Sequence, residues 1–340
     1  MTLASGSEVS RRGSLAAGPL FLIGMPRSGT KLLREMLNQH PGIRILDVET
    51  DFLPYWASNW ARLMPVRSRD RFLKFHDECL RTPFFVQCAE RGIQIGGDDW
   101  YSACISLEPA AVFEGLIRCC LSLHRGDQSV IWGDKSPSYV RHIPLLIRLF
   151  PGARIVHIVR DARDYGLSVR RAWGKSILRA VQRWQDDVSK ARQDGQHHAG
   201  SYVEIRYEDL LEAPRRTLES VCACIGLDFD ERMLTPGRIV ENLGAARDSR
   251  GILRGNTGKY LTQLSPGTVQ KIESIAGTTL RSLDYPCAYQ GDPVRLPGWQ
   301  LLILQCWDGL NLVRAGASRV GLWRSLTFNA RYFKTSGNRR

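Results

Sequence analysis

Residues 20–24, LFLIG, form a short apolar run that predicts a buried β-strand, and the loop PRSG begins two residues later. Apolar residues then recur at the spacing of an amphipathic helix, at Leu32, Leu33, Met36 and Leu37. A strand, a tight loop and a helix in this order are typical of a parallel α/β unit. The chain is therefore expected to place helices against a parallel sheet.

The same pattern recurs further along the chain. Residues 154–159, RIVHIV, predict a second buried strand that leads through Arg160 and Asp161 into a helix. Residues 202–206 and 129–132 predict further strands, and 139–150 predict a helix. This alternation predicts an α/β fold of three layers, in which helices cover both faces of a central parallel sheet.

Three parts of the chain depart from this alternation. Residues 1–18 are expected to be a flexible N-terminus, followed by one domain over 19–290. Within that domain, 52–128 lack clear strands and predict a helical insertion over one sheet edge, broken at the glycines and aspartates of 96–99. Residues 291–340 form a basic extension that contains leucine and tryptophan.

Composition excludes several classes of protein. A chain with 43% hydrophobic and 24% charged residues is not disordered, and none of its apolar runs approaches the ~18–20 residues of a membrane span. Arginine supplies 39 of the 47 cations, which suits phosphate or sulfate ligands. The last fifty residues carry +6 of the net +13, so the distribution does not indicate nucleic-acid binding. Nine cysteines without a C-x-x-C pair predict reduced thiols, no metal site and a cytoplasmic protein.

The segment GMPRSGTK at 24–31 predicts an anion site, because backbone N–H groups converge there on the positive end of a helix. It resembles the nucleoside-triphosphate loop G-x-x-x-x-G-K-[ST], with one difference. Thr30 precedes Lys31, so the hydroxyl comes one position too early to hold Mg²⁺. The simpler interpretation is a glycine-rich turn that only connects the strand and the helix.

A second anion site is indicated by the segment RDARDYGLS at 160–168. Arg160 ends the strand and Ser168 lies about two helical turns later, so both side chains can reach one phosphate at the helix start. An Arg-Asp pair alone is most often a solvated helix cap. Together, the two turns predict a ligand with two separate anionic groups.

These residues resemble the sulfotransferases that use 3′-phosphoadenosine 5′-phosphosulfate (PAPS) and release 3′-phosphoadenosine 5′-phosphate (PAP). Their phosphosulfate loop reads P-[RK]-S-G-T-x-L, and PRSGTKL stands at 26–32. The resemblance implies that the 5′-phosphosulfate is held by Arg27, Ser28, Gly29, Thr30 and Lys31. It further implies that Arg160 and Ser168 hold the 3′-phosphate, through the family motif R-[ND]-x-x-D-x-x-x-S.

Two later segments are similar to family patterns. Tyr207 begins a Y-E-D-L segment, and the resemblance places this tyrosine near the adenine. Without the resemblance, Tyr207 is as readily a packed residue in a turn at the end of a strand. Arg254 and Gly255 begin a segment similar to the late loop that closes over the 3′-phosphate. The resemblance covers about residues 20–286.

The expected reaction is an in-line displacement that needs a base for the acceptor hydroxyl and cations for the leaving phosphate, but no metal. Glu49 matches the family's E-x-H-F or E-T-x-F segment in register with Phe52, and is the expected base. Asp47 and Asp51 are the alternatives if the register slips, and all three acids otherwise read as a solvated loop. Lys135 lies in a segment similar to E-K-[ST]-P-x-Y, which implies that it stabilises the breaking bond together with Arg27.

Alternatives stay open for the function, the acceptor and the C-terminal segment. A nucleotide kinase that uses ATP and Mg²⁺ is the second hypothesis, and a basic binding protein is the third. The acceptor is a hydroxyl on a carbohydrate, lipid or small molecule, and the sequence does not fix the oligomeric state. Residues 299–340 predict either a peripheral membrane contact or a helix packed on the domain with a frayed basic tail.

Overall fold

The computed structural model describes residues 18–124, 129–237 and 255–320, of which 312–320 are described by their backbone alone. Its strands are β1 (Leu20–Gly24), β2 (Ile43–Ile45), β3 (Ile131–Lys135), β4 (Arg154–Val159) and β5 (Tyr202–Arg206). The helices up to the third strand are α1 (Thr30–Leu37), α2 (Leu53–Leu63), α3 (Arg69–Cys79), α4 (Pro83–Glu90), α5 (Gly97–Ala103) and α6 (Pro109–Cys120). The later helices are α7 (Ile143–Leu149), α8 (Ala162–Trp173), α9 (Ile177–Gln196), α10 (Tyr207–Glu212), α11 (Pro214–Ile225), α12 (Tyr260–Gln263), α13 (Pro266–Ser282) and α14 (Gly298–Val320).

All five strands pair in parallel, in the order β2-β3-β1-β4-β5. The carboxyl ends of the strands therefore share one edge of the sheet. The chain leaves β1 toward β2 and β3 on one side, and returns to β4 and β5 on the other. The crevice outside the carboxyl ends of β1 and β4 is thus a topological switch point, where α/β sheets bind their ligands.

Alternation along β1 divides the core into two layers of side chains, one on each face of the sheet. Leu20 and Leu22 belong to the same core cluster as apolar residues of α1 and α11, whereas Phe21 and Ile23 belong to the cluster that contains those of α6, α8 and α9. Helices therefore cover both faces. The predicted α/β class with a central parallel sheet is confirmed.

The helices between β2 and β3 pack onto the face that carries Phe21. No strand occurs among the described residues 52–124, where α2 to α6 lie. Their aromatic side chains surround Trp100, which is fully buried and lies 5.0 Å from the ring of Phe72 and 5.8 Å from that of Phe75. This aromatic core fixes the position of α2 and α4 beside the carboxyl edge of the sheet.

Several predicted boundaries were wrong. The strand expected at 129–132 is Ile131–Lys135, and the helix expected at 139–150 is a 3₁₀ turn (Pro137–Arg141) followed by α7. Pro144 in the first turn of α7 explains that division, because its ring cannot continue a preceding helix. The break expected at 96–99 lies slightly earlier, at 91–96, because α5 begins at Gly97 and Asp98 and Asp99 favour its first turn.

Candidate active site

The loop between β1 and α1 turns sharply at three residues with positive φ, namely Gly24 (153°), Arg27 (75°) and Gly29 (94°). The backbone N–H of Ser28 donates to the carbonyl of Met25 over 3.1 Å, which closes the loop. Ser28 is fully buried, and its Oγ has no hydrogen-bond partner among the described residues. A buried hydroxyl without a partner at the start of a helix suits an anion at that point.

Tyr207 packs directly against this loop. A Cβ atom placed on Gly29 would lie 2.3 Å from Cδ2 of Tyr207, so only glycine fits between the helix start and the ring. The guanidinium of Arg160 lies over the same ring, 4.7 Å from its centroid. Tyr207 is therefore a spacer between the two predicted anion sites.

The two predicted turns are in direct contact. Nη1 of Arg160 donates to the backbone carbonyl of Arg27 over 3.2 Å, and Nε of Arg27 donates to Oγ of Ser168 over 3.4 Å. Arg160 is buried, and its Nε has no hydrogen-bond partner among the described residues. The structure thus brings together the residues that the sequence assigned to a single doubly charged ligand.

The described part of the late loop contacts the same residues. The carbonyl of Asn256 accepts from Nη2 of Arg160 over 2.8 Å, and its side-chain amide donates to the hydroxyl of Tyr207 over 2.8 Å. Gly255 precedes it with a φ of 84°, whereas Arg254 lies outside the described residues. Asn256 was not among the predicted site residues, although it lies within the segment that is similar to the family loop.

Positive charge converges on this site. Partial burial, together with the charges of Arg160 and Arg171, lowers the pKa of Lys259. Nζ of Lys259 donates to Oδ1 of Asn256 over 2.5 Å. Neighbouring cations that lower the pKa of a lysine favour an anion among them.

Salt bridges hold the start of α8 in place. Both carboxylate oxygens of Asp161 accept from the guanidinium of Arg163, over 2.9 and 2.6 Å, and Arg163 also pairs with Glu273 over 2.7 Å. The carboxylate of Asp164 accepts from the backbone N–H of Tyr260 over 2.9 Å. Asp161, Arg163 and Asp164 therefore position the helix that carries Ser168.

The expected base lies beside the expected catalytic lysine. Glu49 is in the loop between β2 and α2, and its Oε1 accepts a hydrogen bond from Nζ of Lys135 at the end of β3. Lys135 is 1% exposed at its side chain, whereas Glu49 is 40% exposed. The carboxylate thus combines a buried cationic partner with access to solvent or substrate.

The two alternative bases have other partners. Asp47 pairs with Arg34 and, over 3.2 Å, with Arg91, and it is half-exposed. Asp51 accepts a hydrogen bond from the hydroxyl of Ser138, and burial and the charge of Glu49 raise the pKa of Asp51. These partners leave Glu49 as the acid of this loop that contacts Lys135.

A buried polar network fixes the loop of Glu49. The hydroxyl of Thr50 donates to Asp134 over 2.9 Å and lies 2.6 Å from the hydroxyl of Tyr139. Ser136 accepts from the backbone N–H of Thr50 over 2.9 Å and donates to Asp134 over 3.3 Å. Complete burial raises the pKa of Asp134 to about 7. This network was not predicted from the sequence.

A cavity of about 840 Å³ opens from the Glu49–Lys135 pair into the helices of the insertion. Lys31, in the first turn of α1, also lines it and so connects the cavity with the anion site. The farther walls are mainly aromatic and apolar, and include Phe52, Tyr55, Trp56, Leu63, Phe75, Phe84 and Phe85. The volume is that of a small-molecule site.

The chain is similar to known proteins. Residues 19–231 match the model of the sulfotransferase family, which is more than half of the chain. The chain belongs to the sulfotransferase family. The predicted resemblance and the prediction of an enzyme of sulfuryl transfer are thereby confirmed, and the nucleotide kinase hypothesis is not favoured.

Individual relatives are distant. A Caenorhabditis briggsae protein, provisionally named a protein-tyrosine sulfotransferase, is 22% identical over 276 residues, 76% of this chain and 85% of its own. A protein-tyrosine sulfotransferase of Drosophila melanogaster is 29% identical over 228 residues, which are 63% of this chain but only 39% of that protein. The solved sulfotransferase domain of the Synechococcus PCC 7002 olefin synthase has 22% identity and a TM-score of 0.52, over 79% of this chain and 94% of that domain. This last likeness shows that the two share a fold.

Proposed function

We propose that this sulfotransferase moves the sulfuryl group of PAPS to a phenolic hydroxyl bound in the aromatic cavity. The observation that carries the proposal is the Glu49–Lys135 pair, because it lies in the wall of the cavity that Lys31 also lines. A base, a buried cation and the phosphosulfate loop are thus next to one another. In-line sulfuryl transfer needs these three elements.

The residues present fit the donor. Ser28 Oγ and Arg160 Nε are buried polar atoms without partners among the described residues. A ligand with two anionic groups would give each of them a partner. In this proposal, the 5′-phosphosulfate is held by residues 27–31, and the 3′-phosphate by Arg160 and Ser168. Tyr207 and Gly255 border the nucleoside, and Arg254 stays a predicted contact.

Each catalytic side chain has a separate task. Glu49 accepts the proton of the acceptor hydroxyl while the acceptor oxygen bonds to sulfur and the bond from sulfur to the phosphate oxygen breaks. Lys135, Lys31 and Arg27 stabilise the charge that develops on that phosphate oxygen. Glu49 then releases its proton to solvent, to which it is partly exposed.

The lining of the cavity supports a phenol as the acceptor. Rings from α2 and α4 favour contact with the edge or face of another aromatic ring. The two curated relatives are named for transfer to protein tyrosine, whose side chain is a phenol. A phenol also gives up its proton more readily than an alkyl alcohol or a sugar hydroxyl, so a carboxylate base suffices.

Transfer of a radiolabelled sulfuryl group from PAPS tests the proposal. We expect label in p-cresol and in a tyrosine peptide, but about tenfold less or none in 4-methylcyclohexanol, which has the same size without the ring. Glu49→Gln is the matched control, in which transfer to p-cresol should fall about 10²-fold or more. Label in the cyclohexanol or in sugars at a rate equal to that of p-cresol would reject the phenol. No transfer to any acceptor, in an enzyme that binds PAP, would reject the catalytic assignment.

A further inference from the structure

The helix α14 is fastened to the domain by one of its faces. Leu301 and Leu304 pack against the core. Asp308 is almost fully buried, and its carboxylate accepts from the backbone N–H of Ser176 over 2.7 Å and pairs with Arg179 over 2.8 Å. A buried carboxylate with two such partners sets the rotation of the helix about its axis. The opposite face is therefore held toward the outside.

That outer face carries a stripe of large apolar side chains. Five of the eleven large hydrophobic residues that are exposed in the described part of the chain lie on it, and they are 54% to 66% exposed. Their spacing of three and four residues places them side by side along the helix: Trp299, Leu302, Ile303, Trp307 and Leu310. A contiguous patch of this kind marks an interaction surface, whereas isolated apolar residues do not. We call these five residues the α14 stripe.

The charge of the C-terminal segment favours an anionic lipid surface over a second copy of the chain as the partner of this stripe. After Asp308 the sequence contains seven cations and no acidic residue. A second copy would bring an identical basic segment against this one, and the two would repel each other. An anionic lipid surface instead complements the cations and accepts the apolar stripe.

We propose that the α14 stripe binds the surface of an anionic lipid bilayer. The helix lies in the plane of the surface, the leucine and isoleucine side chains enter the acyl boundary, and Trp299 and Trp307 lie at the level of the headgroups. No helix in the described part of the chain is long and apolar enough to cross a bilayer. The proposal concerns attachment to the membrane and is independent of which hydroxyl is sulfated.

Co-sedimentation of the full chain with vesicles tests this. Vesicles of phosphatidylcholine alone are compared with vesicles that also contain phosphatidylglycerol. We expect binding to the anionic vesicles that weakens in 0.5 M salt, since the Debye length falls to roughly 4 Å. The variant L302S/I303S is expected to bind roughly tenfold or more weakly. The matched control V66S/I105S removes two exposed apolar side chains from elsewhere on the surface and should bind like the parent chain.

The variant W299S/W307S repeats the test on the other half of the stripe, and circular dichroism establishes that each variant is folded. Activity toward a soluble acceptor should be unchanged in all three variants. Binding that is equal for neutral and anionic vesicles, or equally weakened in V66S/I105S, would overturn the proposal. So would a dimer in analytical ultracentrifugation that L302S/I303S dissociates, because the occupant of the stripe would then be a second copy.

Discussion

Lys135 and Glu49 are 86 residues apart in the chain, and Nζ of the first donates a hydrogen bond to Oε1 of the second. The contact joins the end of β3 to the loop after β2, at the edge of the sheet where the donor loops also lie. The carboxylate that we propose as the base thus lies beside a buried cation and is itself partly exposed. In the proposed mechanism, the pair links the acceptor in the cavity to the leaving phosphate, because Lys31 lines the same cavity.

Replacing the base should lower turnover without weakening the donor. Glu49→Gln keeps the shape of the side chain but cannot take a proton, so we expect kcat to fall about 10²-fold or more, with the Kd of PAP unchanged. Asp47→Asn, in the same loop but paired with Arg34 and Arg91, should keep most of the activity. Steady-state kinetics and calorimetry measure both quantities. A slow Asp47→Asn enzyme beside a fast Glu49→Gln enzyme would identify Asp47 as the base.

Lys135 and Glu49 are expected to act as a unit. Lys135→Met removes the buried cation, and kcat should fall about 10²- to 10³-fold. In the double variant with Glu49→Gln, the loss should be little larger than that of the slower single variant, because groups that act together are not additive. Losses that multiply in the double variant would show that the two side chains work independently.

Gly29 should tolerate no side chain. In Gly29→Ala the new Cβ meets the ring of Tyr207, which cannot move without leaving Arg160 and Asn256. We expect the affinity for PAP to fall about tenfold or more. The matched control is Gly226→Ala, which has a similar φ of 78° but no atom within 4 Å of the Cβ position. It should lose about 1–2 kcal/mol of stability and bind PAP normally.

Burial of Asp134 should make stability depend on pH. Its pKa is raised from 3.8 to about 7, so the folded state holds a proton that the unfolded state releases between these values. The contribution to the free energy of unfolding is therefore fully present below about pH 4 and is lost as the pH rises through 7. Urea denaturation at several pH values measures the free energy of unfolding of the parent chain and of Asp134→Asn. A difference between the two proteins that stays constant from pH 4 to 7 would contradict this prediction.

Local patterns allowed much of the fold to be predicted. The strands at 20–24, 154–159 and 202–206, each of five or six residues, are where the sequence placed them. The first two also fix the donor loops, because a parallel sheet puts their carboxyl ends side by side. Direct contacts of Arg160 with Arg27, and of Arg27 with Ser168, agree with that expectation.

Other features depend on contacts between distant parts of the chain. β2 has only three residues, and it is recognisable as a strand through its pairing with β3, where Ile43 lies opposite Ile131. Thr50 meets Asp134 and Tyr139 across 84 and 89 residues. No pattern within one segment indicates such a network, and the pKa of Asp134 follows from its burial. The division of 139–150, in contrast, had a local signal in Pro144.

Calorimetry of PAP against adenosine 5′-phosphate tests most directly whether the two turns hold one donor. These ligands differ only in the 3′-phosphate, which we propose is bound by Arg160 and Ser168. We expect the parent enzyme to bind PAP about 100-fold more tightly, and Arg160→Ala to reduce this preference about tenfold or more. Equal affinities for the two nucleotides, or a preference that is unchanged in Arg160→Ala, would contradict the proposal that the two turns bind one donor.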